Sequence, residues 1–470
     1  MENYSENYQR IQEFIESFSR LVHERKDLKL VVDTYTHFEG KFKMLDAILL
    51  RENESLAIFE FKPRGKQINL QDMFEAFVPL EVSFKFLILS NGTIHKVLNR
   101  FSNQIRDFEN AAELLLFLLE IPSEEEIKRV KNAIAEGIEN VVSNFFASFD
   151  RNHKLNSKKE ILLQLLTREN VVKNLQYDKN GQFYHISNDI RKLENLENRL
   201  FKILIDEVNQ NESIYRYTNL DTIFSTIDKE SLRLNGIAGM NDISEVGYVE
   251  TYLDQNFIPF KTPKDVDRLN RRFILCSSTL NDDLIQWRLY GDDCKGGCLV
   301  FRLKEQKDIP GLQIRKINYG VEVNGENYHP ELELIAHIID FVKVIIRDSF
   351  QFRTLSIWKH FFKSFEYAPE KEVRLLLIQN DQNNIKGEAF NGFNPHSLDK
   401  KWCLTTSHKI LNPFMVISLN DKALPLELTD IILGPKCPEI VINQTQFTQL
   451  LSEKKMGNVK VKISRIKNYR

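Results

Sequence analysis

Three side chains in the stretch LDAILLRENESLAIFEFK can do chemistry together: Asp46, Glu60 and Lys62. The stretch reads as a β-hairpin, with apolar Ala47–Leu50, a polar turn at Arg51–Glu54, and Leu56–Lys62 rich in strand formers. Asp46 stands at the mouth of the first strand. Glu60 and Lys62 lie two apart on the second, so their side chains leave the same face. Two carboxylates and an amine therefore collect at one end of a hairpin. A hard divalent cation such as Mg²⁺ takes oxygen ligands, commonly one or two carboxylates with waters and a phosphate. A lysine beside it can orient an attacking water or offset charge developing on the phosphate. The chemistry within reach is metal-assisted hydrolysis of a phosphate ester.

The elements that must position these groups follow from the flanking pattern. Ile11, Phe14, Ile15, Phe18 and Val22 recur at helical spacing and predict a helix over residues 4–24. Leu28–Thr36 reads as a strand entering the hairpin. After it, Gln67–Phe77 reads as a short amphipathic helix carrying Gln71, and Phe84–Ser90 as an apolar strand. Asn91-Gly92 is a strong turn signal leading into a strand over Thr93–Leu98. A helix over Asn110–Leu119 closes the unit.

This order resembles the PD-(D/E)xK nuclease superfamily, the restriction-endonuclease-like fold, with Asp46, Glu60 and Lys62 at its three signature positions. The helix, strand and SNG turn after Glu-x-Lys are similar to the N-terminal nuclease domain of type I restriction motor subunits. Two features depart from the pattern. Leu45 stands where a proline often precedes the aspartate, and Gln71 is followed four residues on by Glu75, not tyrosine. The resemblance implies an α/β nuclease domain in which Asp46 and Glu60 hold Mg²⁺. Lys62 would position the water, Gln71 would assist, and DNA or RNA would be the substrate. Glu16 on the first helix is a further candidate for the metal site, with a solvated helix glutamate as the plainer reading. A homodimer, as many such nucleases form, and a role in bacterial phage defence are further expectations of the same kind.

Composition allows this without announcing it. A chain of 470 residues suggests two or three domains. With 42% hydrophobic residues, 28% charged residues and a net charge of −2, it has the balance of an ordinary soluble protein, and any basic surface must be local. The acidic, polar start MENYSENYQR is unlike a secretory signal. The apolar run Leu114–Leu119 is far too short to span a bilayer, so no membrane partner is expected. Five scattered cysteines fit a reducing cytoplasm. Cys294 and Cys298 have no second pair at zinc spacing, and neither a P-loop nor a GxGxxG motif is present.

From Ser123, a plausible N-cap, to about Asn211 the chain reads as helical, with Val130, Ile134, Ile138, Val141, Val142 and Phe145 forming one apolar stripe. This predicts a helical spacer or dimerisation element. From Ser213 short strands, glycine turns and scattered aromatics predict an α+β domain. The predicted organisation is therefore 1–122 nuclease-like, 123–212 helical, and 213–470 α+β.

The last region resembles a bacterial family known as domain of unknown function twenty-nine seventy-one. The matching features are Tyr215–Thr218, Asn241-Asp242 with Glu245, Trp287 with Tyr290, Gly296-Gly297, Glu370-Lys371-Glu372 with Arg374, and Leu433-Gly434-Pro435. Ile243 stands where the family commonly has proline. Within it, Arg216, the Ser277–Thr279 block with Ser278, and Glu370/Glu372 occur in the order of an ADP-ribosyltransferase site. That likeness implies NAD⁺ held by Arg and Ser, a Glu at the nicotinamide ribose, and Tyr215, Tyr217 or Trp287 stacking on the nicotinamide. A structural reading of the same residues stands beside it. Glu370 and Glu372 would pair with Arg374 or neighbouring lysines, Ser277–Thr279 would cap a helix over Asp282–Tyr290, and Trp287 would be core.

Overall fold

A computed structural model describes residues 4–38, 41–51, 54–62, 84–99, 105–120, 122–148, 153–178, 183–186, 195–237, 245, 247–256, 271–304, 311–346, 350, 352, 354–379, 400–404, 411–422 and 424–467. The chain is mixed α/β. Its first sheet has six strands in the order β1 (Leu28–Phe38), β2 (Lys41–Arg51), β3 (Glu54–Phe61), β4 (Phe86–Ser90), β5 (His95–Asn99) and β6 (Ile105–Phe108). Only β3 and β4 run parallel among these neighbours.

Side-chain alternation gives the sheet two apolar faces. Ala47, Leu49, Ala57, Phe59, Ile88 and Val97 pack beneath α1 (Tyr4–His23) and α2 (Ala111–Leu118), which bring Phe14, Phe18, Leu114 and Leu118. Leu45, Ile48, Ile58, Leu87 and Leu98 form a smaller core on the opposite face with Phe84. Among the described residues the predicted helices and strands of this unit are present, though Arg51 and Glu54 of the expected turn pair in the ladder, β4 begins at Phe86, and β6 was not predicted. The helix predicted over Gln67–Phe77 lies outside the described residues.

One boundary differs for a local reason. β5 starts at His95, not Thr93, because the Asn91 side chain accepts hydrogen bonds from the amides of Thr93 and Ile94 at 2.9 and 2.8 Å. Those amides are thereby held in the turn and not the ladder. Gly92 occupies φ +85°, and a Cβ there would fall 2.6 Å from the backbone carbon of Arg10. The turn thus rests directly on α1.

The stretch expected as a helical spacer opens with α3 (Glu124–Ser148). Ser123 and Glu126 form a reciprocal capping box: the Glu126 carboxylate accepts from Ser123 N at 2.8 Å, and Ser123 Oγ accepts from Glu126 N at 3.3 Å. The stretch also contains an antiparallel hairpin, Leu175–Asp178 with Phe183–Ile186, that the helical pattern did not announce. Its apolar stripe does not stand apart. Ile134, Ile138 and Val142 share one core with Leu332, Ile335 and Ile339 of the helix Pro330–Ile346, and with Ile274 and Leu376 of the second sheet. The approach is close enough that a Cβ on Gly137 would meet the ring of Phe341 at 2.2 Å.

That second sheet has ten strands. For the site, three matter most: β7 (Ser213–Thr218), β8 (Arg272–Ser278) and β9 (Glu372–Ile378). β8 pairs with β9 along its whole length and meets β7 at Ser278↔Tyr215. Ile274 and Leu376 face the helices, whereas Leu275, Leu375, Leu299 and Ile431 line the other face. Among the described residues no helix is long and apolar enough to cross a membrane.

Gly92→Ala should force either a left-handed alanine or a lifted turn. We expect a loss of about 1–3 kcal/mol, measured by urea unfolding of the full chain and followed by backbone circular dichroism.

Candidate functional sites

The β2–β3 hairpin brings Asp46, Glu60 and Lys62 to one face. Ile48 pairs with Ile58 and Ala47 with Phe59, so the register carries on to set Asp46 opposite Glu60. Asp46 Oδ2 accepts a hydrogen bond from Phe61 N at 2.7 Å, which fixes the carboxylate at the strand end. Glu60 is only 7% exposed, and Lys62 Nζ lies 3.0 Å from Glu60 Oε2. Burying a carboxylate is costly without a partner, and the adjacent ammonium offsets that cost. Lys62 itself is anchored through its backbone, its N–H donating to Ser90 O at 2.9 Å.

Two carboxylates are a sparse donor set. Among the described residues no group of three or more His, Cys, Asp or Glu side chains could hold a metal on protein ligands alone. The pair does match the hard oxygen donors that Mg²⁺ uses with waters and a phosphate. Gln71 lies outside the described residues. Glu16 is well exposed and pairs with Arg20 on its own helix at 3.9 Å. It sits on α1, whose packing face covers Phe59 rather than Ile58 and Glu60, so the structure does not bring it to this constellation.

The second set of candidates does come together, on neighbouring strands and, for Glu370, in the 3₁₀ turn before the last of them. Arg216 on β7 donates to Cys276 O at 2.9 Å, and Ser278 Oγ donates to Glu370 O at 2.6 Å. Ser278 is paired in the sheet with Glu372. Lys371 between the two glutamates adopts φ +45°, yet both carboxylates converge on one cation. Lys363 Nζ lies 2.8 Å from Glu370, 2.8 Å from Glu372 and 3.0 Å from Glu245. Arg374 completes the cluster, with Nε 2.6 Å from Glu372 and Nη2 2.5 Å from Glu245. Its Nη1 donates to His360 O at 2.8 Å.

The electrostatics follow from burial. Burial alone would raise the Glu372 carboxyl, but Arg374 and Lys363 outweigh it and hold the pKa at about 2. Burial likewise opposes the Lys363 ammonium, and Glu372 with Glu245 overturns that and raises its pKa above the ordinary lysine value. Tyr290 reaches the cluster from the helix Leu284–Leu289, its hydroxyl donating to Glu370 Oε1 at 2.5 Å. Burial and then Glu370 raise its pKa.

The structure decides three readings left open in this region. Trp287 is fully buried, its Nε1 donating to Asp282 at 2.8 Å, so it is not a stacking platform. Tyr217 is 7% exposed and spends its hydroxyl on Leu280 O and Asp283 N. The cap of the following helix is Asp283, which accepts from Gln286 N at 3.0 Å, and not the Ser277–Thr279 block. Asn241 and Asp242 lie outside the described residues. Lys363 was missed altogether. Its sequence signal was weak, because a lysine inside the apolar run HFFKSF can reach solvent as readily as join a core.

No family model matches the chain, and no curated protein matches it. Among solved structures, a cryoEM structure of a DrdV–DNA complex aligns with 36% of this chain and 20% of that chain. The identity is 10% and the TM-score 0.19. A TM-score that low establishes neither a shared fold nor a shared activity.

Lys363→Met would take the shared cation from the buried Glu372 and the part-buried Glu245 and Glu370. Breaking a buried pair in this way should cost about 3–5 kcal/mol, and adding Glu245→Gln should recover part of it, read as urea midpoints of the single and double variants. The acid dependence has a defined sign, because a lowered carboxyl pKa stabilises the native state above the unfolded value. The Glu372 contribution should be complete above pH 4.5 and drain away as pH falls toward 2.

Proposed function

We propose that this chain is a Mg²⁺-dependent nuclease whose hydrolytic site is built from Asp46, Glu60 and Lys62. The observation that carries the reading is the register of the hairpin. It sets two carboxylates opposite each other on one face, with an ammonium 3.0 Å from the second. Asp46 and Glu60 would hold the cation, which when bound supplies charge neutralisation at the scissile phosphate and a more acidic water. Asp46 is held still for this by the Phe61 amide. Lys62 is partly exposed, so its ammonium can turn from Glu60 toward a phosphate oxygen or an attacking water without leaving the site. Its anchored backbone limits how far it moves, and positioning of that kind lowers the entropic part of the barrier.

Purified protein incubated with plasmid, linear DNA or single-stranded RNA should cleave at least one of them with Mg²⁺ and none with EDTA. Lys62→Ala should reduce the rate about 10²-fold or more, the usual scale for one electrostatic group, while its melting temperature stays near that of the wild type. Cleavage surviving in Lys62→Ala at the original rate would refute the assignment.

One observation favours a second reading in the C-terminal region. Arg216, Ser278 and Glu372 lie on adjacent strands with Glu370 in the 3₁₀ turn leading into the last of them, and Glu245, Glu370 and Glu372 surround Lys363 and Arg374. A carboxylate that is not locked between two cations is what would face the ribosyl cation that develops as nicotinamide leaves NAD⁺. Glu372 is already neutralised by two cations, so Glu370, beside the half-exposed Tyr290, would carry that role. NAD⁺ consumption followed by nicotinamide release, with Glu370→Gln beside the wild type, tests it. Equal release by both proteins, or none by either, ends the reading.

A further inference from the structure

The ten-stranded sheet ends on an open edge. Its terminal strand, β10 (Lys401–Leu404), pairs antiparallel with β11 (Leu411–Ser418) and with no other strand among the described residues. Within the same residues, no backbone hydrogen bond reaches Lys401–Leu404 from beyond that pair. Such an edge presents unpaired amides and carbonyls to any extended chain that can match it.

The two faces of this edge differ in chemistry. The register sets Leu404 against Leu411 and Trp402 against Pro413, so these four share the face that continues inward to Met415 and Ile417. Met415 and Ile417 belong to the core. At the edge that cover stops: Trp402 is 48% exposed, Leu404 63% and Leu411 59%. A contiguous exposed apolar patch of this kind is the mark of an interaction site.

The other face carries charge. Lys401 is exposed and pairs in the ladder with Phe414, which pairs in turn with Asn235 of the strand Ser231–Gly236. From that strand Arg233 lays its guanidinium over the Phe414 ring, 4.0 Å from the centroid, and its Nη2 reaches Cys403 Sγ on β10. Asn235 Oδ1 accepts from Arg233 Nε at 2.9 Å and fixes the group there. Lys400 stands just before β10, its Nζ 5.0 Å from the centroid of the Trp402 ring. Among the described residues no carboxylate pairs with Lys400, Lys401 or Arg233, and neither β10 nor β11 contains an Asp or Glu.

These features select the occupant. An open ladder is completed by main-chain amides and carbonyls, which a nucleic acid lacks. A second copy joined through the same edge would set one group of unpaired cations against another. An acidic strand satisfies the edge, the apolar face and the charge together. We infer that β10 is a docking edge for an extended segment of another protein, one that alternates apolar and acidic side chains. The apolar side chains cover Trp402, Leu404 and Leu411, and the carboxylates face Lys401 and Arg233, as in strand addition to a sheet edge. Neither the hairpin site nor the Glu370 cluster enters this inference.

The test uses the tryptophans of the full chain. Of the three, Trp287 and Trp358 are buried, so Trp402 dominates quenching by acrylamide. The probe is a capped peptide alternating valine and glutamate, and its control has the same composition with every valine before every glutamate. The alternating peptide should shift the Trp402 emission to the blue and protect it from acrylamide, and Trp402→Phe should abolish the signal. The double variant Lys400→Glu, Lys401→Glu should weaken binding about tenfold or more, the scale of reversed charge at an interface. That variant should instead bind the peptide in which lysine replaces glutamate. No protection of the wild type, equal binding of the two peptides, or equal binding by the wild type and the double variant overturns the inference. A signal that persists in Trp402→Phe does the same. Protection of Trp402 by a single-stranded oligonucleotide and not by the peptide, or by dimer formation alone in sedimentation, also overturns it, in favour of nucleic acid or a second copy.

Discussion

A single extra residue in β3 decides what the first sheet can do. Near the turn, Arg51 pairs with Glu54 and Leu50 with Ser55; beyond it, Leu49 pairs with Ala57. Leu56 is the extra residue. Without it the register would set Asp46 opposite Phe59, whose ring belongs to the core under α1. With it, Asp46 faces Glu60. Because side chains alternate strictly along a strand, a slip of one residue exchanges the faces of every side chain beyond it. β-bulges near functional positions do this kind of re-aiming. The apolar residues hold the register in turn. Ala57 and Phe59 on one face and Ile58 on the other are all buried, so a slipped strand would bury Glu60 beneath Phe14 and Phe18.

Charge burial is handled differently in the two halves. In the hairpin a buried Glu60 has a partly exposed lysine beside it. In the C-terminal cluster every charged group is bound several times over. Lys363 touches three carboxylates, and Arg374 spends its guanidinium on two carboxylates and a backbone carbonyl. Such a network rigidifies the segments it joins, here the loop at Glu245, the strand Phe362–Lys363, and β9. Removing any member leaves an uncompensated charge in a low-dielectric interior. Rearrangement during a reaction would meet the same cost, which favours a structural role for Glu372 and leaves Glu370 as the more adaptable carboxylate.

Legibility in the sequence followed the range of the interactions. The hairpin, the SNG turn, the capping box at Ser123 and the α1 stripe are set within a few residues, and their patterns could be read directly. The bulge at Leu56 could not, because an extra residue leaves the strand's composition unchanged. The apolar stripe of α3 was plain, but its partner, the helix Pro330–Ile346, lies far along the chain, so the shared core was not. The Glu-x-Glu pair was visible, and its meaning depended on Lys363, which no spacing rule connects to it. Trp287 and Tyr217 were left with two readings for a related reason: aromatic residues beside a polar motif serve a core as readily as a ligand, and only burial separates the two.

The placement of Lys62 beside the Asn91 turn follows from the parallel β3–β4 pair. A parallel neighbour brings the C-terminal ends of both strands together, so the chain leaving β3 at Lys62 and the turn leaving β4 at Asn91 must lie side by side. An antiparallel neighbour would have put that turn at the far end of the sheet. The parallel pair therefore fixes Lys62 through Ser90 O and, through the same residue's hydroxyl, orients His95 on the other face. Ser90 is 1% exposed and cannot move without disturbing both.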